Sequence, residues 1–235
     1  MWKKGLLFLC LAALALWAGR DREVIPADAT AEIPAVKYIA LTFDDGPRRS
    51  TTEKLLDGLK ERGASATFFL VGEGIAGNED LVKRMQAEGH QIGNHTWSHV
   101  RLEDAPAETA AREICMTEEA LQELLGGSGY WLRPPYGLIG EDTEISVPMV
   151  KWSIDPRDWE KRDTAKVVQA ILQEARPNAI ILLHDIYPTS VEAALQVVDA
   201  LEKEGYWFVT VEELLRLNGI APRAGVMYRS GGASG

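Results

Sequence analysis

The strongest constraint on the fold is an alternation of short apolar runs with helix-like segments along most of the chain. The predicted strands are runs of four to six residues, each bounded by turn residues. Seven strands that alternate with helices predict a parallel sheet buried on both faces, either open or closed into a barrel. The predicted strands are Tyr38–Phe43, Ala66–Val71, Gln91–Asn94, Tyr130–Arg133, Met149–Ser153, Ala179–Leu183 and Trp207–Val211.

The segments between these strands have helical periodicity and end at helix-stopping residues. In the first of them Leu55, Leu56 and Leu59 share one face, and Gly63 follows the last turn. Since 46% of the residues are hydrophobic, one domain of this length can bury a sizeable core. The helices are predicted over 51–62, 78–88, 107–125, 164–175 and 191–204, with a last one that runs through Leu217.

The two ends of the chain are predicted to lie outside the folded domain. Residues 1–19 are typical of a signal peptide, because two lysines precede an uncharged and mostly apolar stretch over 5–19; an uncleaved membrane anchor is the alternative. Residues 20–37 are predicted to be a linker, 38–219 the domain and 220–235 a flexible tail. The leader therefore indicates export, with or without anchoring to the membrane.

The charge balance excludes one class of partner. The formal net charge is −10, and basic residues occur in nothing larger than pairs such as Arg48 and Arg49. Binding to phosphates needs a concentrated cationic surface, so a nucleic-acid partner is not expected. The same balance disfavours a strongly polyanionic substrate, although a local cationic groove is compatible with it.

Unusual polar residues follow several predicted strands, where parallel α/β sheets place their functional sites. Three of the four histidines lie within ten residues of one another. His95 and His99 are four positions apart, which would put both rings on one side of a helical turn and supply two metal ligands. Such a pair is a weak signal by itself because chance pairs are common.

The end of the first predicted strand offers a third ligand. Asp44 and Asp45 follow its apolar run. Adjacent carboxylates raise each other's pKa unless a cation separates their roles, so one could bind a metal while the other accepts a proton from water. A turn is the alternative for these residues alone, but the histidine pair favours a metal site. Two histidines and one carboxylate leave open positions on zinc or a similar divalent ion.

Hydrolysis at such a site also needs an acid. A bound metal activates water and polarises a carbonyl group, but an amide nitrogen must be protonated before it can leave. His184, at the end of the sixth predicted strand, is the candidate for this role. The alternative is a histidine that is simply buried in the core.

These features occur together in a known family. From about Tyr38 to Leu217 the chain resembles the NodB-homology polysaccharide deacetylases, carbohydrate esterase family four. The resemblance implies a distorted (β/α) barrel of about seven parallel strands in a single domain. Five signature segments occur in the family's order, namely Thr42–Pro47 (TFDDGP), His95–His99 (HxxxH), Arg133–Gly137 (RPPYG), Asp155–Trp159 (DxxDW) and Leu182–His184 (LLH).

The resemblance also implies roles for the reacting groups. Asp44 would be the general base, and Asp45, His95 and His99 would bind one divalent metal ion. His184 would be the general acid. Zinc is the default metal, while cobalt, manganese or nickel would suit the same ligands.

Five further positions would support the reaction by resemblance to the family. Arg133 would pair with the base aspartate, and the backbone N–H of Tyr136 would stabilise the oxyanion. Asp158 would orient the acid histidine and keep it charged. Trp159 would form a wall of the substrate groove, and Leu182 would line the pocket for the acetyl methyl group.

The implied function is the hydrolysis of N-acetyl groups on an amino-sugar polymer, with release of acetate, at the bacterial cell wall. Peptidoglycan N-acetylglucosamine is the first expected substrate and chitin oligomers are the second. The alternatives are an O-acetyl esterase that acts on a sugar such as xylan, and a catalytically silent wall-binding domain. A structural zinc domain is disfavoured because such sites are usually closed by four protein ligands.

Overall fold

The computed structural model describes residues 36–232. The predicted leader and nearly all of the predicted linker lie outside the described residues. None of the helices within this range has the length and apolar character that a membrane span requires. The strands are β1 (Lys37–Asp44), β2 (Ala66–Leu70), β3 (Gln91–Asn94), β4 (Met149–Val150), β5 (Ile180–His184), β6 (Tyr206–Phe208) and β7 (Met227–Tyr228).

Helices alternate with these strands, as the sequence predicts. Two short 3-10 helices also occur, over Gly72–Gly74 and Pro135–Gly137. The α-helices are α1 (Arg49–Arg62), α2 (Glu79–Ala87), α3 (Ala107–Leu125), α4 (Asp158–Lys161), α5 (Thr164–Glu174), α6 (Pro188–Lys203) and α7 (Val211–Leu217).

Strand β1 is at the centre of the sheet and has three parallel partners. Strand β5 pairs with Ala40–Asp44, β2 pairs with Leu41–Asp44, and β6 pairs with Lys37–Ile39. Strand β3 pairs in parallel with the other side of β2. Because these strands are parallel, their carboxyl ends meet at one edge, where the predicted site residues lie.

Isolated bridges continue the wall beyond these ladders. Asn94 pairs with Leu132, Leu132 pairs with Met149, and Ile154 pairs with Ile181 of β5, all in parallel. The architecture is therefore that of a distorted, incompletely closed α/β barrel, in which continuous ladders form one part of the wall and single bridges form another. This confirms the predicted fold class.

Side chains along β1 alternate between two apolar clusters. Ile39, Leu41 and Phe43 pack in the cluster that includes the buried residues of α1 and α6. Ala40 packs in the second cluster, on the opposite face of the strand. That second face continues to the buried Asp44, so it changes from apolar to polar towards the carboxyl edge of the sheet.

The fourth predicted strand is wrong as a continuous element. Only Leu132 pairs in that segment. The fifth predicted strand, which corresponds to β4, is two residues long instead of five. Pro134 explains the end of the fourth predicted strand, while the fifth, β4, stops at Val150 and its segment pairs again only at Ile154. Proline has no N–H to donate to a ladder and restricts the backbone around it.

The last predicted strand and the tail also differ from the structure. The strand ends at Phe208, since Thr210 already begins α7 with a capping box to Glu213. Within the predicted flexible tail, β7 pairs in parallel with β4. The N–H of Gly231 also donates to the Asn178 carbonyl at 2.8 Å. The described part of this segment therefore packs on the barrel. Its strand β7 was not predicted because the segment contains few apolar residues.

Candidate active site

The parallel ladders bring the predicted site residues to one edge of the barrel. Asp44 ends β1 and His184 ends β5, and the two residues are directly opposite each other in the register. His95 follows the end of β3, and Arg133 follows the bridge at Leu132. These side chains therefore come from four different segments of the wall.

Asp45, His95 and His99 form a cluster in which the candidate ligand atoms all lie within 4.8 Å of one another. The Oδ1 atom of Asp45 is 3.3 Å from Nε2 of His99 and 3.6 Å from Nε2 of His95. Two imidazole nitrogens and one carboxylate oxygen are a donor set that suits zinc and similar divalent ions.

A backbone contact fixes the orientation of His95. Its Nδ1 atom is 2.6 Å from the carbonyl oxygen of Arg133. A carbonyl oxygen can only accept, so Nδ1 is the nitrogen that donates, and the neutral ring keeps its lone pair on Nε2. Hydrogen bonds of this kind orient histidine ligands in metal sites. The lone pair is therefore on the side of Asp45.

Asp45 provides a test of whether a cation fits. Its Oδ1 atom is buried and has no hydrogen-bond partner among the described residues. A buried carboxylate oxygen without a donor is costly, and a cation between Asp45 and the two histidines would satisfy it. The Asp45 backbone also has a φ of 72°, in the left-handed region that non-glycine residues rarely adopt. The residues present therefore fit a divalent cation.

The predicted helical turn over His95–His99 is wrong. The segment is a loop in which Thr96 has a φ of 66° and His99 a φ of 58°. Asn94 accepts a hydrogen bond from the Thr96 N–H at 2.9 Å and stabilises this loop. The two imidazole rings still approach to 5.0 Å between centroids, because left-handed residues bring them together instead of helical spacing.

Glu113 is a site residue that the sequence analysis missed. It is buried on α3, and its carboxylate accepts from the N–H of Ser98 at 2.8 Å and from the Ser98 hydroxyl at 3.1 Å. It therefore fixes the loop between the two histidines. Glu113 lies on the buried face of its helix with Ala110 and Leu121, and a glutamate at such a position was a signal for a polar role.

Asp44 is held by a buried arginine. Nη1 of Arg133 donates to Oδ1 of Asp44 and to Oγ1 of Thr42, both at 2.7 Å. Burial raises the pKa of the Asp44 carboxyl, but neighbouring positive charge, of which Arg133 makes the largest contribution, outweighs that effect and brings the pKa below its usual value. Asp44 is therefore ionised and oriented, with Oδ2 3.6 Å from Nε2 of His95.

His184 pairs with a fully buried carboxylate. Its Nδ1 is 2.8 Å from Oδ1 of Asp158, whose Oδ2 accepts from the His184 N–H at 2.9 Å and from the Ser190 hydroxyl at 2.6 Å. Burial lowers the pKa of His184, but the hydrogen bond and charge of Asp158 reverse this and raise the pKa to about 9. His184 is therefore protonated at neutral pH.

The remaining predicted residues lie around these groups. Tyr136 is exposed, has a φ of 60° and packs its ring edge-on against His99 at 5.0 Å between centroids. Trp159 is exposed and follows Asp158 directly. Leu182 is buried on β5, two residues before His184 and on the same face of the strand.

A second buried carboxyl was also missed. Asp185 is inaccessible to solvent, and burial raises its pKa to about 7. The hydroxyl of Thr52 donates to its Oδ2 atom. The sequence places Asp185 next to the candidate acid, but nothing in the pattern indicates that its side chain contacts α1.

Comparison with known proteins matches this chain to one family. The polysaccharide deacetylase family model matches residues 32–147. The chain is 39% identical over 188 residues to the peptidoglycan-N-acetylglucosamine deacetylase PgdA of Listeria monocytogenes, covering 78% of this chain and 40% of that protein. It is 37% identical to a peptidoglycan-N-acetylglucosamine deacetylase of Bacillus cereus, covering 76% of this chain and 68% of that one. The chain thus spans about 40% of the length of PgdA.

A solved structure agrees with this assignment. The peptidoglycan deacetylase PdaC of Bacillus subtilis superimposes with a TM-score of 0.76 at 36% identity, and the match covers 79% of this chain and 93% of that one. The chain belongs to the polysaccharide deacetylase family, the NodB-homology family known as carbohydrate esterase family four.

Proposed function

We propose that this protein is a metal-dependent hydrolase that removes N-acetyl groups from an amino-sugar polymer and releases acetate. The observation that carries the proposal is the cluster of Asp45, His95 and His99, set beside the buried Asp44 and the half-buried His184, which can transfer protons. Asp44 is ionised next to this cluster, and His184 is protonated opposite Asp44 in the register. Amide hydrolysis needs this combination of a base and an acid.

Asp45, His95 and His99 would hold the cation. When bound, the cation supplies Lewis-acid activation of a water and of the acetyl carbonyl group. Asp44 accepts the proton of the attacking water, and its hydrogen bond to Arg133 fixes the accepting carboxylate. The backbone N–H of Tyr136 would donate to the oxyanion that develops on the acetyl carbonyl oxygen.

His184 completes the reaction by protonating the leaving nitrogen. Its Nδ1 is held by Asp158, so the proton on Nε2 is the one that can be delivered. The neighbouring charge of Asp158 keeps the ring protonated before the C–N bond breaks. Trp159 and Leu182 would contact the sugar and the acetyl methyl group.

Peptidoglycan is the substrate that we favour, at its N-acetylglucosamine units. The Listeria monocytogenes and Bacillus cereus relatives are named for that activity, and the intact pair of Asp44 and Asp45 supports the same preference. Chitin oligomers are the second candidate substrate. We favour zinc as the metal, and cobalt, manganese or nickel suit the same donors.

The cell wall outside the cytoplasmic membrane is the location that this substrate requires. The apolar stretch over 5–19 would direct export as a signal peptide or hold the protein at the membrane as an anchor. The linker over 20–37 would then separate the membrane from the domain over 38–219. Comparison of the mature N-terminus from a bacterial host with the full sequence distinguishes the two forms.

The test is acetate release from peptidoglycan, from N-acetylglucosamine oligomers and from an O-acetylated xylan. Each substrate is assayed before chelation, after chelation and after addition of zinc. Release from the N-acetylated substrates that chelation stops and zinc restores supports the proposal. Release from xylan alone would identify an O-acetyl esterase. No release from any substrate by protein that binds the metal would favour a silent wall-binding domain.

A further inference from the structure

Asp185 is a buried carboxyl for which the proposed mechanism has no use. It is the first residue after β5, next to His184, and it has no solvent exposure. The Thr52 hydroxyl donates to its Oδ2 atom, and its Oδ1 atom is buried without a partner among the described residues. A buried carboxyl with one oxygen unsatisfied is costly, so stability alone does not account for it.

The carboxyl of Asp185 packs directly on the turn that follows the candidate metal ligand Asp45. A Cβ atom added to Gly46 would overlap both carboxylate oxygens of Asp185. Gly46 does not have a positive φ, so an alanine there would be excluded by this contact and not by backbone conformation. Gly46 therefore lets the turn lie against the Asp185 carboxyl.

The same carboxyl also fixes the backbone beyond the turn. Oγ1 of Thr52 donates to Asp185 and accepts from the N–H of Arg48 at 2.8 Å. A separate hydrogen bond, from the N–H of Val71 to the carbonyl of Gly46 at 3.0 Å, holds the turn itself to the end of β2. Asp185, through Thr52, thus links the segment after Asp45 to the strand that carries His184.

The electrostatic environment supports a link between Asp185 and the cluster. Burial and, to a smaller extent, the negative charge of Asp45 raise the pKa of Asp185 to about 7, while the hydrogen bond from Thr52 opposes the shift. Two nearby carboxyls disfavour each other's ionisation. When a cation binds to one of them, the ionised form of both becomes more favourable. The cost of the buried carboxyl would therefore be offset when the metal is bound.

We propose that Asp185 is a positioning residue for the metal site: it fixes the turn after Asp45 against the strand of His184 and adds negative charge behind the ligand. This inference rests on the proposed metal site. Residues that support metal ligands in this way typically change metal affinity by about 10- to 100-fold when they are replaced.

The direct test is metal affinity in Asp185→Asn, measured by zinc competition against a chromophoric chelator. Asparagine has the same shape and can still accept from Thr52, so the substitution removes the charge and keeps the packing. We expect zinc affinity to fall about tenfold, while the metal-free variant unfolds at the same denaturant concentration as wild type or a higher one. The matched control is Asp199→Asn, since Asp199 pairs with Arg62 at the far end of α1.

Three results separate the possibilities. Unchanged zinc affinity in Asp185→Asn would overturn the inference. Reduced stability of the metal-free variant without a change in zinc affinity would also overturn it, because it would make Asp185 a structural residue. Failure of the wild-type protein to bind zinc would instead count against the proposed metal site itself.

Two further variants test the proposed contacts. Thr52→Val removes the hydroxyl and should weaken zinc binding, whereas Thr52→Ser should restore it. Gly46→Ala should reduce zinc affinity more in the wild-type background than in Asp185→Ala, where the overlapping carboxyl is absent. Equal effects of Gly46→Ala in both backgrounds would contradict the contact on which the inference rests.

Discussion

His184 and His90 are both largely buried histidines beside strand ends, but their environments have opposite effects. His184 ends β5 at the carboxyl edge, and Asp158 raises its pKa to about 9. His90 precedes β3 at the opposite end of the barrel. Burial lowers the pKa of His90 to about 4, and its Nδ1 accepts only the N–H of Ala66, at 3.2 Å.

The difference shows that burial alone does not make a histidine functional. Both rings lose water, and the hydrogen-bond partner decides which protonation state each one keeps. A buried carboxylate holds a proton on His184, whereas burial without such a partner keeps His90 neutral, and the Ala66 N–H already occupies its Nδ1. The carboxyl edge of the barrel therefore carries the groups suited to proton transfer, whereas the contacts of His90 are structural.

The largest expected effect is that of replacing Asp44 at the carboxyl edge of the barrel. Asp44→Asn should lower the rate of acetate release by about 10³-fold, because an amide cannot accept the proton of the attacking water. Zinc binding should persist, since Asp44 is not in the ligand cluster. Acetate release and zinc content are measured on the same preparation. Near-normal turnover would show that Asp44 is not the base. His90→Asn is the matched control and should keep its activity.

Asp158→Asn should have the next largest effect, because it removes the charge that keeps His184 protonated where His90 is neutral. The pKa of His184 should then fall from about 9 to below its usual value, since burial would dominate. We expect a rate loss of about 100-fold. NMR titration of the metal-free protein reports the pKa of His184. An unchanged pKa would contradict the role of Asp158, and Asp163→Asn, at the surface cap of α5, is the control.

Replacement of His90 should have a smaller effect, which changes the pH dependence of stability and leaves turnover unchanged. Its folded pKa of about 4 lies below the unfolded value of 6.5, so the unfolded chain binds more protons between these values. The stability contribution is present above pH 6.5 and is lost as the pH falls towards 4, by up to about 3 kcal/mol. His90→Asn should flatten this dependence in denaturant unfolding across that range. An unchanged slope would contradict the neutral, buried assignment.

Glu113→Gln should have the smallest effect. Glutamine can still accept from the Ser98 N–H, but the charged hydrogen bond is lost and the loop between His95 and His99 becomes less constrained. We expect zinc affinity to fall by a few-fold, at the low end of the range for residues that support metal ligands. Chelator competition measures it, with Glu119→Gln on the exposed face of α3 as the control. A loss as large as that of a direct ligand would mean that our account of Glu113 is incomplete.

The sequence was sufficient to predict the fold class and the strand ends where the polar groups lie. Apolar runs with Gly and polar boundaries indicate strands, and parallel pairing places their carboxyl ends together. The predictions failed where pairing depends on few residues. The bridge at Leu132 lies next to proline, and β7 is a two-residue strand within a segment rich in glycine and serine.

Local spacing was insufficient for the site loops. His95 and His99 come together through left-handed residues and a carboxylate from α3, neither of which is encoded in their four-residue separation. The contact of Asp185 with Gly46 joins residues far apart in the sequence. Side chains that support a site from another element were therefore the part that the sequence could not predict, and the roles of the site residues stay predictions until they are measured.

The register between β1 and β5 has a consequence for how such a protein can change. Asp44 and His184 are on adjacent strands, and their backbones are held about 4.8 Å apart by the hydrogen-bonding of the central sheet. Insertions or deletions in the surrounding loops can alter which polymer reaches the site without altering this spacing. Natural variation and laboratory evolution can thus change the loops around the site while the spacing between Asp44 and His184 is kept constant.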